Sequence, residues 1–161
     1  MHRNRFPILV AQLLHARPNL DNAHLGRVFA SRLAQMKLTT ARRVLLVDDE
    51  PAIGATMSRM VRVAGYDPTY VNSGAAALSS LDGRWTEFLA VVSDVHMSGM
   101  DGMTLARQIS DRYPGLPAIL CSGDSGPSVD TLGSQTGVMS VLAKPVRLQH
   151  LADLLSDLAK N

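Results

Sequence analysis

The chain has 161 residues, of which 46% are hydrophobic and 19% charged, so it is long enough for one globular domain with a short appendage. A single cysteine excludes an internal disulfide framework and gives no zinc-binding pattern. Residues 1–43 carry eight Lys or Arg and one acid, whereas residues 44–161 carry eight and thirteen, so a basic head precedes an acidic body.

Residues 1–41 are predicted to be an extension of the domain. Their longest apolar run, "FPILVAQLL", is too short to span a bilayer and no good signal-peptidase site follows it, so we expect a cytoplasmic protein without membrane contact. No groove-reading motif accompanies the positive charge, which favours a solvated extension over one that binds nucleic acid. Part of the extension can form a helix with one apolar side, made by Leu25, Val28, Phe29, Leu33 and Met36.

The start of the chain leaves a second interpretation open. Met36 lies shortly before the domain, so residues 1–35 could result from an incorrectly assigned start. In either case the domain itself is predicted to occupy residues 42–161.

From residue 42 onward, strand-like runs alternate with helix-like segments. The run "RRVLLVDD" is short, apolar and β-branched, as in a parallel strand that is covered on both faces. A helix is predicted to begin at Pro51 with Asp49 or Glu50 as its N-cap. A second strand, "PTYVN", precedes a second helix that Ser73 is placed to cap.

The rest of the domain continues the alternation. The third, fourth and fifth strands are predicted over "FLAVVSD" (88–94), "LPAILCS" (116–122) and "VMSVLA" (138–143). Helices are predicted over "DGMTLARQISDRYPG" and "VRLQHLADLLSDLAK", whereas "GPSVDTLGSQTG" has too few apolar positions for more than a poor helix. These segments predict an α/β fold in which helices cover both faces of a mostly parallel sheet.

Polar residues occupy the points where the predicted strands end. In open parallel sheets, these carboxyl ends share one edge and ligands bind there. Acids at this edge suit Mg²⁺, a carboxylate can attack phosphorus, and a lysine and a hydroxyl can neutralise phosphoryl oxygens. Each residue alone has a simpler explanation as a helix cap or turn residue, so the chemical interpretation depends on their joint order. The residues are Asp48 and Asp49 after the first strand, Asp94 after the third, Ser122 after the fourth and Lys144 after the fifth.

The fragments "VLLVDDEP", "SDVHMSGMDG", "ILCSG" and "LAKP" resemble the receiver domains of bacterial two-component response regulators, over about residues 42–160. The resemblance implies a flavodoxin-like, doubly wound (βα)5 sheet with strand order 2-1-3-4-5. It implies that Asp94 accepts a phosphoryl group from a phosphohistidine on a sensor histidine kinase or a histidine phosphotransfer protein. By the same resemblance, Mg²⁺ would be held by Asp48, Asp49, Asp94 and the backbone carbonyl of His96, and the phosphoryl oxygens by Ser122 and Lys144.

The resemblance also implies a Lys144–Pro145 bond that is often cis, and three positions depart from the family pattern. Ser98 replaces a usual proline, which we expect to loosen its loop without touching the acids. Val141 replaces an aromatic residue that usually moves inward on activation, so the usual output switch cannot operate as described. His96 lies where the family tunes the lifetime of the acyl phosphate, and an exposed histidine is favoured there over a pH-sensitive gate.

The leading hypothesis is a phosphorylation-controlled receiver whose catalysis is limited to Mg²⁺-dependent self-phosphorylation and autodephosphorylation, and which is otherwise not an enzyme. The alternative is a receiver-like docking module that needs no phosphorylation. A phosphatase of the haloacid dehalogenase type is disfavoured because "DVH" lacks the second acid of its Asp-x-Asp motif. We expect no effector domain after residue 161 and therefore expect output through a downstream effector protein at about residues 126–160, from a monomer or a homodimer.

Overall fold

The structure is a computed structural model that describes residues 43–123 and 137–160. The basic extension, its proposed helix and almost all of the weak helical segment before the last strand lie outside these residues. The boundary after residue 41 therefore stays a prediction.

Five strands form one parallel sheet in the order β2-β1-β3-β4-β5. Every residue of β3 is buried, as are all but the first of β1, which explains why these strands read as continuous apolar runs. The predicted fold class and strand order are confirmed. The strands are β1 (Arg43–Val47), β2 (Asp67–Val71), β3 (Phe88–Asp94), β4 (Ala118–Ser122) and β5 (Val138–Ala143).

Four α-helices connect or follow the described strands. In chain order they are α1 (Pro51–Val63), α2 (Gly74–Leu81), α3 (Gly102–Arg112) and α4 (Leu148–Lys160). The first contacts the last on one face of the sheet, and α2 contacts α3 on the other, as right-handed crossovers require for this strand order. A short 3-10 turn, Trp85–Glu87, leads into β3 and was not predicted. None of the described helices is long and apolar enough to cross a membrane.

The N-terminal ends of the first two helices differ in how they are capped. Ser73 caps α2 as predicted, since its Oγ accepts the N–H of Ala76 at 3.3 Å. Glu50 occupies the N-cap position of α1 but makes no capping bond with its side chain. The prediction that Asp49 or Glu50 is the N-cap is therefore confirmed for Glu50 in position, although the Glu50 side chain does not bond to the helix. The Asp48 carboxylate accepts the Glu50 N–H instead, at 2.9 Å.

The core packs against both faces of the sheet and joins β1 and β3 to all four helices. A smaller cluster lies under α3 and includes Ala106, Leu120 and Val138, with the half-buried Val141 packed against it. The largest fully buried side chains are Phe88, Leu45, Leu81, Leu89, Leu105, Ile109, Ile119, Leu120, Leu142, Leu151 and Leu155.

Candidate functional site

The crevice between β1 and β3 contains two acids, Asp48 and Asp94. Val47 pairs with Ser93 in the parallel register, so Asp48 follows β1 beside Asp94 at the end of β3. The connections after these two strands run to opposite sides of the sheet, which opens a crevice at their carboxyl ends.

The last two strands add a hydroxyl and an ammonium to the same edge. Ser122 pairs with Ala143, the residue before Lys144, and the Lys144 N–H donates to the Ser122 carbonyl at 2.7 Å. The Lys144–Pro145 bond is cis, as the resemblance implied. The Ser122 side chain is buried, and its hydroxyl donates to the Gly123 carbonyl at 3.3 Å. The structure thus brings Ser122 to the edge, with its hydroxyl bonded to the adjacent backbone.

An ion pair joins Asp94, at the end of the central strand β3, to Lys144, after the edge strand β5. Lys144 Nζ lies 3.0 Å from Asp94 Oδ2, and the Asp94 side chain is only 9% exposed. Burial by itself lowers the pKa of Lys144, but the hydrogen bond to Asp94 and the charges of Asp94 and Asp48 raise it above its usual value. The ammonium is therefore charged at neutral pH and lies where it can neutralise an anion bound to Asp94.

Asp48 is held in place by the backbone around it. Burial raises the pKa of its carboxyl, against the lowering effects of the Glu50 N–H and the Lys144 charge. The Tyr70 hydroxyl donates to the Asp48 carbonyl at 2.9 Å, and the Tyr70 ring fills the space beside Gly54. A buried carboxylate next to a second acid is unfavourable in its charged form, and a bound cation would relieve this.

Asp49 makes a contact that sequence reasoning did not anticipate. Its Oδ2 accepts both the N–H and the hydroxyl of Ser98, each at 2.8 Å, and these bonds lower the pKa of the carboxyl. The expectation that Ser98 does not touch the acids is therefore wrong. Proline has neither an N–H nor a hydroxyl, so replacing it by serine creates both donors.

The loop after β3 returns closely to the strand end. The Gly102 N–H donates to the Val95 carbonyl at 3.0 Å, and a Cβ at Gly102 would overlap the Asp94 carbonyl oxygen. Asp101 caps α3 by accepting the Thr104 N–H at 2.6 Å. Neither role was predicted, although an acid followed by glycine, with a helix-like pattern after it, is a recognisable N-cap signal.

His96 is exposed in this loop, as the sequence favoured. Its backbone carbonyl belongs to the segment that directly follows Asp94, which leaves it available as a neutral oxygen donor at the same edge.

The donors at this edge fit Mg²⁺ in their chemistry. In the described part of the chain, no group of three or more His, Cys, Asp or Glu side chains could by itself hold a metal ion. Magnesium does not require such a cage, since it usually binds one or two carboxylates and keeps several waters. Asp48 and Asp94 with a backbone carbonyl meet that requirement.

An apolar cleft of about 470 Å³ opens beside the acids, between α1 and the chain that leads into α4. Cys121 lies at its floor, and burial raises the pKa of this thiol to about 12, so it is protonated and not nucleophilic at neutral pH. The cleft wall is mainly apolar and includes Ile53, Met57, Met60, Pro145 and Val146.

Comparison with known proteins agrees with this geometry. Residues 44–156 match the family model of the response regulator receiver domain. Over 112 residues the chain is 38% identical to the two-component response regulator ARR2 of Arabidopsis thaliana, covering 70% of this chain and 17% of that protein. Over 116 residues it is 34% identical to the response regulator protein FleR of Pseudomonas aeruginosa, covering 72% of this chain and 24% of that one. The chain thus spans a quarter or less of these relatives.

Solved structures show the same fold. The chain resembles a response regulator structure from Chloroflexus aurantiacus with a TM-score of 0.67 and 25% identity, over 75% of this chain and 99% of that chain. It also resembles the receiver domain of a sensor histidine kinase from Pseudomonas aeruginosa PAO1, described with a magnesium ion coordinated in its active-site cleft. For that structure the TM-score is 0.65 and the identity 25%, over 75% of this chain and 99% of that chain.

Fold, strand order, the acids at the carboxyl edge and the matches over most of the chain all agree. The chain belongs to the response regulator receiver domain family, whose members are regulatory domains of two-component signalling rather than classical enzymes.

Proposed function

We propose that this chain is a phosphoacceptor receiver in which Asp94 takes a phosphoryl group from a phosphohistidine of a sensor histidine kinase or a histidine phosphotransfer protein. The observation that carries the proposal is the Asp94–Lys144 ion pair, with a contact of 3.0 Å between Oδ2 and Nζ in a buried crevice. The ion pair supports the proposal because a carboxylate that can act as a nucleophile lies beside an ammonium that can neutralise charge, at the carboxyl edge where ligands bind in such sheets.

The transfer is a displacement at phosphorus. A carboxylate oxygen of Asp94 forms the new P–O bond while the P–N bond of the phosphohistidine breaks, and the imidazole leaves with that electron pair. Lys144 neutralises charge on the phosphoryl oxygens, and the Ser122 hydroxyl can turn from the Gly123 carbonyl to donate to them. Attack of water on the acyl phosphate later returns Asp94 to its free form, which is the autodephosphorylation step.

Magnesium would be held by Asp48, Asp49, Asp94 and the backbone carbonyl of His96, and when bound it would supply positive charge to neutralise the phosphoryl oxygens. The protein's part is positioning. Tyr70 fixes the backbone of the first acid through its hydroxyl, and Gly102 lets the loop that carries His96 close onto the Asp94 carbonyl.

A protein donor is favoured by the apolar cleft beside the acids, because a partner with an apolar helix or loop could dock there while its histidine reaches Asp94. For output we propose binding of an effector protein at about residues 126–160. In the described part of that range, β5 is an edge strand and Met139 and Leu148 are exposed to 42% and 39%. Homodimer formation is a further outcome to test there, and a cytoplasmic location stays a prediction.

The second candidate is a docking module that works without phosphorylation. Val141 favours it, since this half-buried side chain packs against the cluster under α3 and offers no aromatic ring that could move inward. The intact acids, Ser122 and Lys144 favour the receiver instead.

Intact-mass spectrometry after incubation with acetyl phosphate and Mg²⁺ tests the proposal. The full chain should gain one phosphoryl group, and the gain should disappear in Asp94→Asn and with a chelator. Asp111→Asn, which changes an exposed acid of α3, is the matched control and should be phosphorylated normally. Lys144→Met should slow the reaction by about 100-fold, because it removes one electrostatic stabiliser of the transition state.

An unmodified chain, with acetyl phosphate and also with histidine-phosphorylated donor proteins, would contradict the receiver proposal and support the docking module. Modification that persists in Asp94→Asn would place the acceptor elsewhere.

A further inference from the structure

We propose that two hydrogen bonds from Ser98, called here the Ser98 latch, hold the Asp49 carboxylate in place and thereby weaken Mg²⁺ binding at the carboxyl edge. This inference rests on the proposed function, because it concerns the metal affinity of the same site. Its starting point is that both Ser98 donors converge on one oxygen, Asp49 Oδ2, at 2.8 Å each. Hydrogen bonds to an ionised carboxylate are about twice as strong as neutral ones.

The latch joins two loops that are distant in sequence. Asp49 belongs to the turn between β1 and α1, and Ser98 belongs to the loop between β3 and α3, 49 residues later. The contact therefore fixes the Asp49 carboxylate relative to the loop that begins directly after Asp94. It is a tertiary contact and not a turn within one loop.

Both donors depend on the residue type at position 98. Proline, the residue that the family pattern has here, lacks a backbone N–H and carries no hydroxyl, so it can form neither bond. Alanine would keep the N–H and lose the hydroxyl. The chain offers a graded series in which serine makes two bonds, alanine one and proline none.

Asp49 Oδ2 already accepts two hydrogen bonds from the protein. Magnesium requires near-ideal octahedral geometry and short contacts, and the two bonds to Oδ2 restrict how far the Asp49 carboxylate can turn to meet that geometry. The Asp49 carboxylate accepts both Ser98 donors, whereas the Asp48 carboxylate accepts the Glu50 N–H of its own turn.

The latch therefore makes the free energy of Mg²⁺ binding less favourable whenever Asp49 has to turn toward the metal. The effect is modest, since Ser98 is exposed and water can replace its donors. We expect Ser98→Ala to tighten Mg²⁺ binding about threefold and Ser98→Pro about tenfold, as one and then both bonds are removed.

The test is a Mg²⁺ titration of the full chain, followed by calorimetry and by backbone amide NMR, for the natural protein, Ser98→Ala and Ser98→Pro. Ser79→Ala is the matched control, because that hydroxyl donates to the Ala75 carbonyl within α2 and should leave the dissociation constant unchanged. Urea unfolding of each variant identifies any loss of folding. In the natural protein the Ser98 amide proton should move upfield as Mg²⁺ binds, since it leaves a carboxylate.

Tighter binding in the order serine, alanine, proline, together with the upfield shift, supports the latch. Equal dissociation constants, or a fixed Ser98 amide shift, would overturn it and leave the proposed function intact. Weaker binding in Ser98→Ala would also overturn it, because Ser98 would then orient Asp49 as a ligand. If Mg²⁺ bound to none of these proteins, the proposed metal site would fail and the latch with it.

Discussion

Glu87 at the amino edge of the sheet and Asp48 at the carboxyl edge have their pKa values shifted in opposite directions. At the amino edge, Glu87 lies 2.7 Å from Arg43 and 3.0 Å from Arg84, and the hydrogen bonds from Arg84 and Arg43 lower the pKa of its carboxyl. At the carboxyl edge, Asp48 is buried beside Asp94, and burial raises its pKa. The surroundings of Glu87 stabilise its charged form, whereas burial opposes the charged form of Asp48.

The amino edge carries contacts that stabilise the fold, whereas the carboxyl edge carries the acids of the candidate site. Arg43 not only pairs with Glu87 but also donates to the Thr69 hydroxyl at 3.0 Å and lies 5.1 Å from the centre of the Phe88 ring, so the amino edge is tied together by one side chain. The carboxyl edge concentrates acids in a crevice, an arrangement that costs stability and is typical of sites that bind cations or transfer charged groups.

The largest expected effect comes from adding a side-chain atom at Gly102, where the loop after β3 passes close to the Asp94 backbone. In Gly102→Ala the new Cβ would overlap the Asp94 carbonyl oxygen and lie 3.1 Å from Val95 Cα, and both are backbone atoms that cannot rotate away. We expect a loss of about 3 kcal/mol in the free energy of unfolding, measured by urea denaturation.

The control is Gly123→Ala at the same edge, where an added Cβ meets no atom within 4 Å. Its stability should stay within about 0.5 kcal/mol of the natural protein. A small loss in Gly102→Ala would mean that the loop after β3 can move, and that its tight return to Asp94 is not required.

A smaller effect, with the opposite sign, is expected from Asp48→Asn. The amide keeps an oxygen for the Glu50 N–H but removes a buried charge beside Asp94, so the free energy of unfolding in a magnesium-free buffer should rise by about 1 kcal/mol.

The gain should depend on pH in a defined direction. Because folding raises the pKa of Asp48 above its ordinary value of 3.8, the folded state favours the protonated acid. The stability that this carboxyl contributes is present below that value and lost as the pH rises through the raised pKa. The advantage of Asp48→Asn should therefore be full at neutral pH and shrink in acid. A loss of stability at neutral pH would show that the Asp48 charge is well accommodated.

Much of this edge could be predicted from the sequence, because it depends on local patterns. Continuous β-branched runs indicate buried parallel strands, and once the strands are in order, the residues that follow them have to share one edge. The shared position of Asp48, Asp94, Ser122 and Lys144 at one edge follows from that reasoning, as does the fold class, whereas the strand order was implied only by the family resemblance.

The remaining details depend on side-chain geometry across distant segments. The Ser98–Asp49 contact spans 49 residues and requires particular rotamers in two loops, which no periodicity encodes. The same holds for the Ser122 hydroxyl, which is bonded to the neighbouring backbone, and for the closeness of Gly102 to Asp94. Hydrophobic pattern and turn chemistry specify where the chain goes, whereas hydrogen-bond partners at the site are decided by contacts of about 3 Å.

The smallest expected effect tests the amino edge with the same change of carboxylate to amide. Glu87→Gln removes the charge that both arginines face, so the free energy of unfolding should fall slightly at neutral pH, the reverse of Asp48→Asn.

Folding lowers the pKa of Glu87 below its ordinary value of 4.5, so its contribution is present above that value and lost as the pH falls through the lowered pKa. The difference from the natural protein should vanish in acid and also in about 1 M salt, which screens exposed pairs. Urea denaturation over pH and salt measures it. If Glu87→Gln and Asp48→Asn changed stability with the same sign, the two edges would not differ electrostatically, and the high pKa of Asp48 could not be attributed to its place in the site.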